Sequence, residues 1–381
     1  MHTPVSIQFR YACPEDYPRI SAFLDEVWAK NHIYVRSRTL FDWTFQRPLY
    51  WDEGMYSFTL AEDGGELIGI LGGIPYTFNV FGKSLRGVWI VNYAVRPTHR
   101  KGSAAFQLLS QFRNENADVV IASGLNPSTT TIYRVLRGQV LPKAPRHFVC
   151  LPHAVERFAR LLTLANPTLE CERAMALGRA LRCSAVGKPS LDWGTSLTEH
   201  WDVEDWPAIA AGTVGAARDT AYLKWRYLQH PVFEYQFITI PEGRRSGLVV
   251  WRLETIRQQV EENRVDVDRI GRVVEYLPCS NSNAEKLTTV LLQELTNANV
   301  IGADFYGYHG ATRSLLSDNQ FRSCDTHPDG ALIPSRFQPL DPQSGGMLNA
   351  MFAPLDLPQC GVGADCPWYW TKSDSDQDRP N

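Results

Sequence analysis

The apolar positions at the start of the chain follow a helical period. Ile20, Phe23, Leu24, Val27 and Trp28 recur at i, i+3, i+4, i+7 and i+8 after Pro14, which predicts an amphipathic helix. Glu15 and Asp16 lie at its positive end. A second helix is predicted after Ser37, carrying Leu40, Phe41 and Trp43 and ending near Pro48. The period then shortens. Tyr56 to Glu62 and Leu67 to Val80 read as strands around a turn at Asp63-Gly64-Gly65. Gly87 to Val95 is almost wholly apolar (Val88, Trp89, Ile90, Val91), as expected of a strand covered on both faces. The chain turns at Pro97 and passes through Arg100-Lys101-Gly102-Ser103 into a helix with an apolar face of Ala105, Leu108, Leu109 and Phe112. A strand from Asp118 to Ser123 leads to Asn126-Pro127 and a helix through Tyr133.

Residues 143–214 predict a helical connector, with Val155, Phe158, Ala159 and Leu162 on one face and breaks at Pro167, Pro189 and Gly194. After residue 215 the order of elements repeats. Arg218-Asp219-Thr220, Tyr222, Trp225 and Pro231 echo Arg38-Thr39, Leu40, Trp43 and Pro48, and Ala298-Asn299-Val300-Ile301 echoes Ala117-Asp118-Val119-Val120. Two copies of one mixed α+β unit follow from this order. The expected organisation is a first unit over 1–142, a connector over 143–214, a second unit over 215–337 and an irregular tail over 338–381. Trp368, Tyr369 and Trp370 are too apolar to stay in water, so the tail is expected to dock on the body.

Composition narrows the classes. The 381 residues, 44% apolar, suit two or three domains with a large core. A net charge of −3 with no basic block gives no footprint for nucleic acid. No apolar stretch of about 18 residues points to a membrane span, and Met1 to Arg10 lacks the core of a secretion signal. The eight cysteines form no CxxC pair, and no His accompanies the closest, Cys360 and Cys366. Reduced thiols, a cytoplasmic location and no metal site are therefore expected.

The chemistry concentrates in Val95-Arg-Pro-Thr-His-Arg-Lys-Gly-Ser-Ala-Ala-Phe-Gln-Leu-Leu109. A strand entering a helix through a loop of small residues aims backbone N–H groups at one spot. The helix dipole and the cations His99, Arg100 and Lys101 make that spot attractive to a pyrophosphate. The segment resembles the acetyl-CoA motif of the GNAT superfamily, V-x-P-x-x-[RQ]-x-x-G-x-[GA], through Val95, Pro97, Arg100, Ala105 and Leu108-Leu109. Ser103 replaces the middle glycine and Gly102 sits one place early, so a left-handed backbone at Ser103 would be strained. Asn126-x-x-Thr129-x-x-Ile132-Tyr133 resembles the family's next segment. The resemblance implies acetyl-CoA held by Tyr93, Ala94, Val95, Arg100, Lys101, Gly102, Ser103, Ala104, Ala105 and Asn126. It also implies a strand splayed from its neighbour, an oxyanion received near Asn92 to Ala94, and Tyr133 as general acid. No general base stands out. No cysteine lies near these motifs, so direct transfer to an amine is expected.

In the second unit the corresponding stretch, Leu277-Pro-Cys-Ser-Asn-Ser-Asn-Ala-Glu285, has no glycine and no cation, and Arg313 stands where Tyr133 does. This copy is not expected to bind CoA. It is expected to shape the acceptor pocket, with Tyr306, Tyr308 and His309 at its strand end and Asn92 across from them. The segments Arg218-Asp-x-x-Tyr-Leu-x-Trp-Arg226 and Asp374-Ser-Asp-Gln-Asp-Arg-Pro380 resemble bimodular GNAT proteins of bacterial surface-polysaccharide pathways. That resemblance implies a nucleotide-linked amino deoxysugar as acceptor, for example a dTDP-3-amino-3,6-dideoxyhexose. Two alternatives stay open: an aminoacyl-transferring relative of the peptidoglycan cross-bridge enzymes, and a non-catalytic CoA-binding protein.

Overall fold

Two mixed sheets face one another across a shared core in the computed structural model. It describes residues 7–378 apart from 47, 52–53, 116, 126–129, 136, 185–190, 203, 262–263, 339, 342–347 and 353–356. In the first sheet β1 (Gln8–Tyr11), β2 (Phe58–Asp63), β3 (Glu66–Val80) and β4 (Lys83–Val95) run antiparallel. Next comes β5 (Val119–Leu125), parallel to β4, and the far edge is β6 (Gln139–Leu141). The apolar run in β4 is explained by burial on both faces. Val88, Ile90 and Val95 pack under Leu108 and Leu109 of the helix Ala104–Glu115, while Trp89, Val91 and Ala94 enter a core shared with the second half.

The second sheet has the order Arg322–Ser323, β7 (Arg146–Cys150), β12 (Gly302–Tyr306), β11 (Arg264–Leu277), β10 (Arg245–Glu261) and β9 (Gln236–Glu242). As in the first sheet, two long hairpins precede a parallel step, β11 to β12. The helices Val155–Ala165, Cys171–Ala180 and Asn281–Asn297 cover its outer face with Phe158, Leu162, Leu177, Leu287 and Leu291.

The halves exchange trailing strands. β7 follows the first half but inserts into the second sheet beside β12. The strand Leu348–Phe352 follows the second half but lies between β5 and β6, antiparallel to both. The predicted connector thus contributes more than helices, because Phe148 and Val149 complete the second core. The 338–381 region, in which no periodicity was expected, contributes this strand and Trp368–Tyr369, which pairs with β8 (Val214–Ala216) on the margin of β3. The second predicted helix stops at Phe45, ahead of Pro48, and is capped by the Ser37 hydroxyl accepting Leu40 N–H at 3.2 Å. Among the described residues no helix is long and apolar enough to cross a membrane.

Candidate functional site

Pairing between β4 and β5 runs from Gly87/Val119 to Ile90/Ala122 and stops there, although β4 continues to Val95 and β5 to Leu125. On its other edge β4 slips register with β3 between Ile70↔Ala94 and Gly72↔Val91. The extra residue makes a bulge, and Asn92 takes φ +51°, a left-handed conformation that Asn tolerates better than most residues. Among the described residues, bulge and splay together leave the β5-facing edge of Asn92 to Val95 without a strand partner. The Asn92 side chain is only 4% exposed, yet neither its Nδ2 nor its Oδ1 has a partner. Ser123, the first β5 residue past the pairing, has a buried and unpartnered hydroxyl. Orphaned buried polar atoms are rare. Here they gather where the strands part, the place for a polar ligand.

The loop after β4 makes a tight turn at Pro97–His99 and enters the helix at Ala104. Ser103 O accepts the Gln107 N–H at 3.0 Å, and Ser103 Oγ accepts the Gln107 side-chain amide at 3.1 Å. The N–H groups of Ala104, Ala105 and Phe106 therefore have no acceptor inside the helix. Arg100 Nε donates to Val95 O at 3.0 Å, which holds its guanidinium beside the turn. Lys101, Gly102 and Ser103 are exposed. Neither Gly102 nor Ser103 has positive φ, so serine in place of the family's glycine carries no backbone strain. Opposite the loop, the Tyr93 hydroxyl donates to Ala105 O at 2.6 Å, and burial pushes its pKa up to about 12.

Tyr133 stands on the short helix Thr130–Val135 and is 3% exposed among Val88, Ile90, Val120 and Leu108. Burial, and secondarily Tyr93, raise its pKa, so the hydroxyl keeps its proton at neutral pH. Asn126 lies outside the described residues. The first half thus brings Asn92, Tyr93, Ser123, Tyr133 and the loop to one splay. Among the described residues no group of three His, Cys, Asp or Glu is placed to hold a metal.

The other predicted acceptor residues lie beneath the C-terminal segment. Tyr306 has the Arg146 guanidinium at 5.1 Å and the Lys372 ammonium at 5.2 Å from its ring centre. The Tyr308 hydroxyl donates to Pro142 O at 2.5 Å, and Trp370 covers its ring. His309 caps the helix Gly310–Asp318 through Nδ1, and burial followed by the Arg313 charge lowers its pKa to about 4. Tyr306 and Tyr308 are buried and offer no open face for an acceptor, while His309 is half-buried with its ring against Tyr369. The reason is the tail, which Arg313 also ties down through Val362 O and Gly363 O, at 2.6 and 2.7 Å.

The second half repeats the splay and closes it. β11 pairs with β12 only from Gly271/Ala303 to Val273/Phe305, and a bulge separates Val250↔Glu275 from Trp251↔Val273. The Tyr369 hydroxyl fills the gap, accepting Tyr276 N–H at 3.2 Å and donating to Glu275 at 2.8 Å. Arg218, fully buried, bridges Glu275 at 2.9 Å and Asp374 at 2.8 Å. At the loop, Ser280 Oγ accepts Asn283 N–H at 3.0 Å and itself donates to the Glu242 carboxylate. A helix start already capped and already holding an anion is a poor place for a phosphate.

Residues 8–136 match the family described as "Acetyltransferase (GNAT) domain". In fold the chain is similar to a GCN5-related N-acetyltransferase from Anabaena variabilis, at 12% identity and a TM-score of 0.53 over 91% of this chain and 72% of that one. It is also similar to the N-myristoyltransferase of Saccharomyces cerevisiae with bound myristoyl-CoA, at 12% identity and a TM-score of 0.55 over 97% and 86% of the two chains. No curated protein matches it in sequence. The N-terminal part matches the GNAT domain family over residues 8–136, and GNAT-like architecture extends over nearly the whole chain as two tandem α+β folds.

Proposed function

We propose, from the premise that residues 8–136 form a GNAT acetyltransferase domain, that the chain moves an acetyl group from acetyl-CoA directly to an amine. The observation that carries the reading is the β4–β5 splay, with the unpartnered Asn92 amide and Ser123 hydroxyl at its apex and an open helix start at its mouth. Those residues fit an acyl-CoA. Ala104, Ala105 and Phe106 N–H, with Arg100 and Lys101, would hold the pyrophosphate, and the free edge of Tyr93 to Val95 would pair with the pantetheine amides. Acetyl-CoA supplies the activated acyl group. Backbone N–H groups beyond the Asn92 bulge receive negative charge on the acyl oxygen, and Tyr133, kept protonated by burial, gives its proton to the departing sulfur.

A two-carbon acyl group suits the layer beneath the splay. Tyr76 stacks on Trp89 with ring centres 3.7 Å apart, and Trp368 and Tyr369 line the same space. The filled second cleft leaves one CoA per chain, in the N-terminal half. For the acceptor we assign the amine of a nucleotide-linked amino deoxysugar, on the sequence resemblance given above. Its contacts lie on the side of Trp43 and the C-terminal segment, since Tyr306 and Tyr308 are covered. Calorimetry with acetyl-CoA and myristoyl-CoA, then thiol release across a panel of amino-sugar nucleotides, tests this reading. Tight binding of acetyl-CoA at one site with thiol release to one of them is expected. Preference for myristoyl-CoA, or no binding of either, removes the reading.

A further inference from the structure

An amine that attacks a thioester must lose a proton, and Asn92, Tyr93, Ser123 and Tyr133 include no base for it. The C-terminal segment brings a carboxylate to the same place. Asp374 pairs with Arg218 at 2.8 Å, and Asp378 with Arg252 at 2.6 Å and the Tyr235 hydroxyl at 2.8 Å. Between these anchors Ser375 takes φ +64°, which turns the chain toward β5. Gln377 Nε2 then donates both to Ser123 O at 3.2 Å and to Asp376 Oδ1 at 3.0 Å. Its side chain packs on Gly124, whose φ is +73° and where an added Cβ would stand 2.5 Å from Gln377 Oε1. One nitrogen therefore holds the Asp376 carboxylate two hydrogen bonds from the residue at which β5 leaves β4.

Asp376 also lines a cavity with Tyr34, Trp43, Trp225, His230 and Ser375. The indole N–H groups of Trp43 and Trp225 and the hydroxyl of Ser375 are buried there without partners. Unsatisfied buried donors lining one cavity mark where a ligand or an ordered water completes the set. Arg226 and His230 line the same cavity. Arg226 donates to Ser373 O at 2.9 Å and Asp378 O at 3.1 Å. His230 accepts Phe233 N–H at 2.9 Å through Nδ1, and burial, then the Arg226 charge, lowers its pKa to about 3.

We propose that Asp376 takes the proton from the acceptor amine, an assignment that rests on the acyl-transfer reading. The nitrogen lone pair forms the N–C bond as the C–S bond breaks. Sulfur receives the Tyr133 proton, and the nitrogen's proton passes to Asp376, directly or through one water in the cavity. Proton exchange with solvent then restores both residues.

The test compares two acceptors in the full chain. Hydroxylamine is largely neutral near pH 7 and needs no base, whereas the amine of a dTDP-3-amino-3,6-dideoxyhexose is largely protonated. Asp376→Asn should lower kcat for the sugar amine by about 10²–10⁴-fold while hydroxylamine transfer stays within about threefold. Acetyl-CoA affinity and Tm should not move. Equal losses with both acceptors, or none with the sugar amine, overturn the assignment. Should Asp376→Asn not fold, Gln377→Ala applies the same comparison by releasing the carboxylate from Ser123. A wild-type chain that binds acetyl-CoA yet acetylates neither amine overturns the transfer reading itself, and this assignment with it.

Discussion

The Tyr369 hydroxyl accepts the N–H of Tyr276 at 3.2 Å, inside the gap where β11 and β12 part. The comparable gap between β4 and β5 has orphaned polar atoms instead. One cleft is filled by the chain's own side chain, and the other is the one proposed to hold acetyl-CoA. Tyr369→Phe should lower stability by about 1–3 kcal/mol, because a buried N–H and the Glu275 carboxylate each lose a partner. Acetyl-CoA stoichiometry should remain one per chain. Two sites by calorimetry in the wild type would end the division of labour between the halves.

Gly102→Asp tests the loop. The position is open, with only His99 O at 3.5 Å from an added Cβ, so the variant should fold. A carboxylate beside the free N–H groups of the helix start should weaken acetyl-CoA binding by about 1.5–3 kcal/mol, the scale of one charge-assisted hydrogen bond. Unchanged affinity would move the pyrophosphate elsewhere.

Tyr133→Phe removes only a hydroxyl from a buried ring. Acetyl-CoA binding should persist while turnover falls by about 10²–10⁴-fold, if protonation of sulfur limits the rate. Turnover within about twofold of wild type would leave Tyr133 as packing.

Two buried histidines and a half-buried third should make the fold acid-sensitive. Burial lowers the pKa of His147 to about 4, His230 to about 3 and His309 to about 4. Each is depressed below an unfolded value of about 6.5, so the unfolded chain binds more protons in this window. Stability is complete above about pH 6.5 and falls as pH drops toward 4. His309→Asn keeps an N-cap for the helix Gly310–Asp318 and removes one titrating ring, so its Tm should decline less steeply over the same range. Parallel Tm profiles for variant and wild type would show that His309 does not contribute.

The first half was legible because its signals are local. The two-sided burial of β4 and the small-residue loop from Gly102 to Ala105 can be read from neighbouring residues alone. The tail was not. Docking was expected from Trp368, Tyr369 and Trp370, but nothing local announced that Arg218 and Arg252, more than a hundred positions away, pair with Asp374 and Asp378. Burial of those charges follows from pairing that no local pattern announces. The same segment explains why Tyr306 and Tyr308 resembled an open aromatic face, since Trp370 and Lys372 cover them only in three dimensions. The bulge at Asn92 was equally hidden, because a register slip belongs to the strand pair and not to one sequence.

The exchanged strands also set an order of events during synthesis. β5 and β6 leave the ribosome early, but the strand that joins them, Leu348–Phe352, is translated after all of the second sheet. Until then the first sheet has two unpaired edges exactly where a stray strand could add. Gln377, which touches Ser123 beside the splay, arrives later still. The first half is therefore the first of the two to be made and the last to be finished, and a nascent chain released early has an incomplete first sheet.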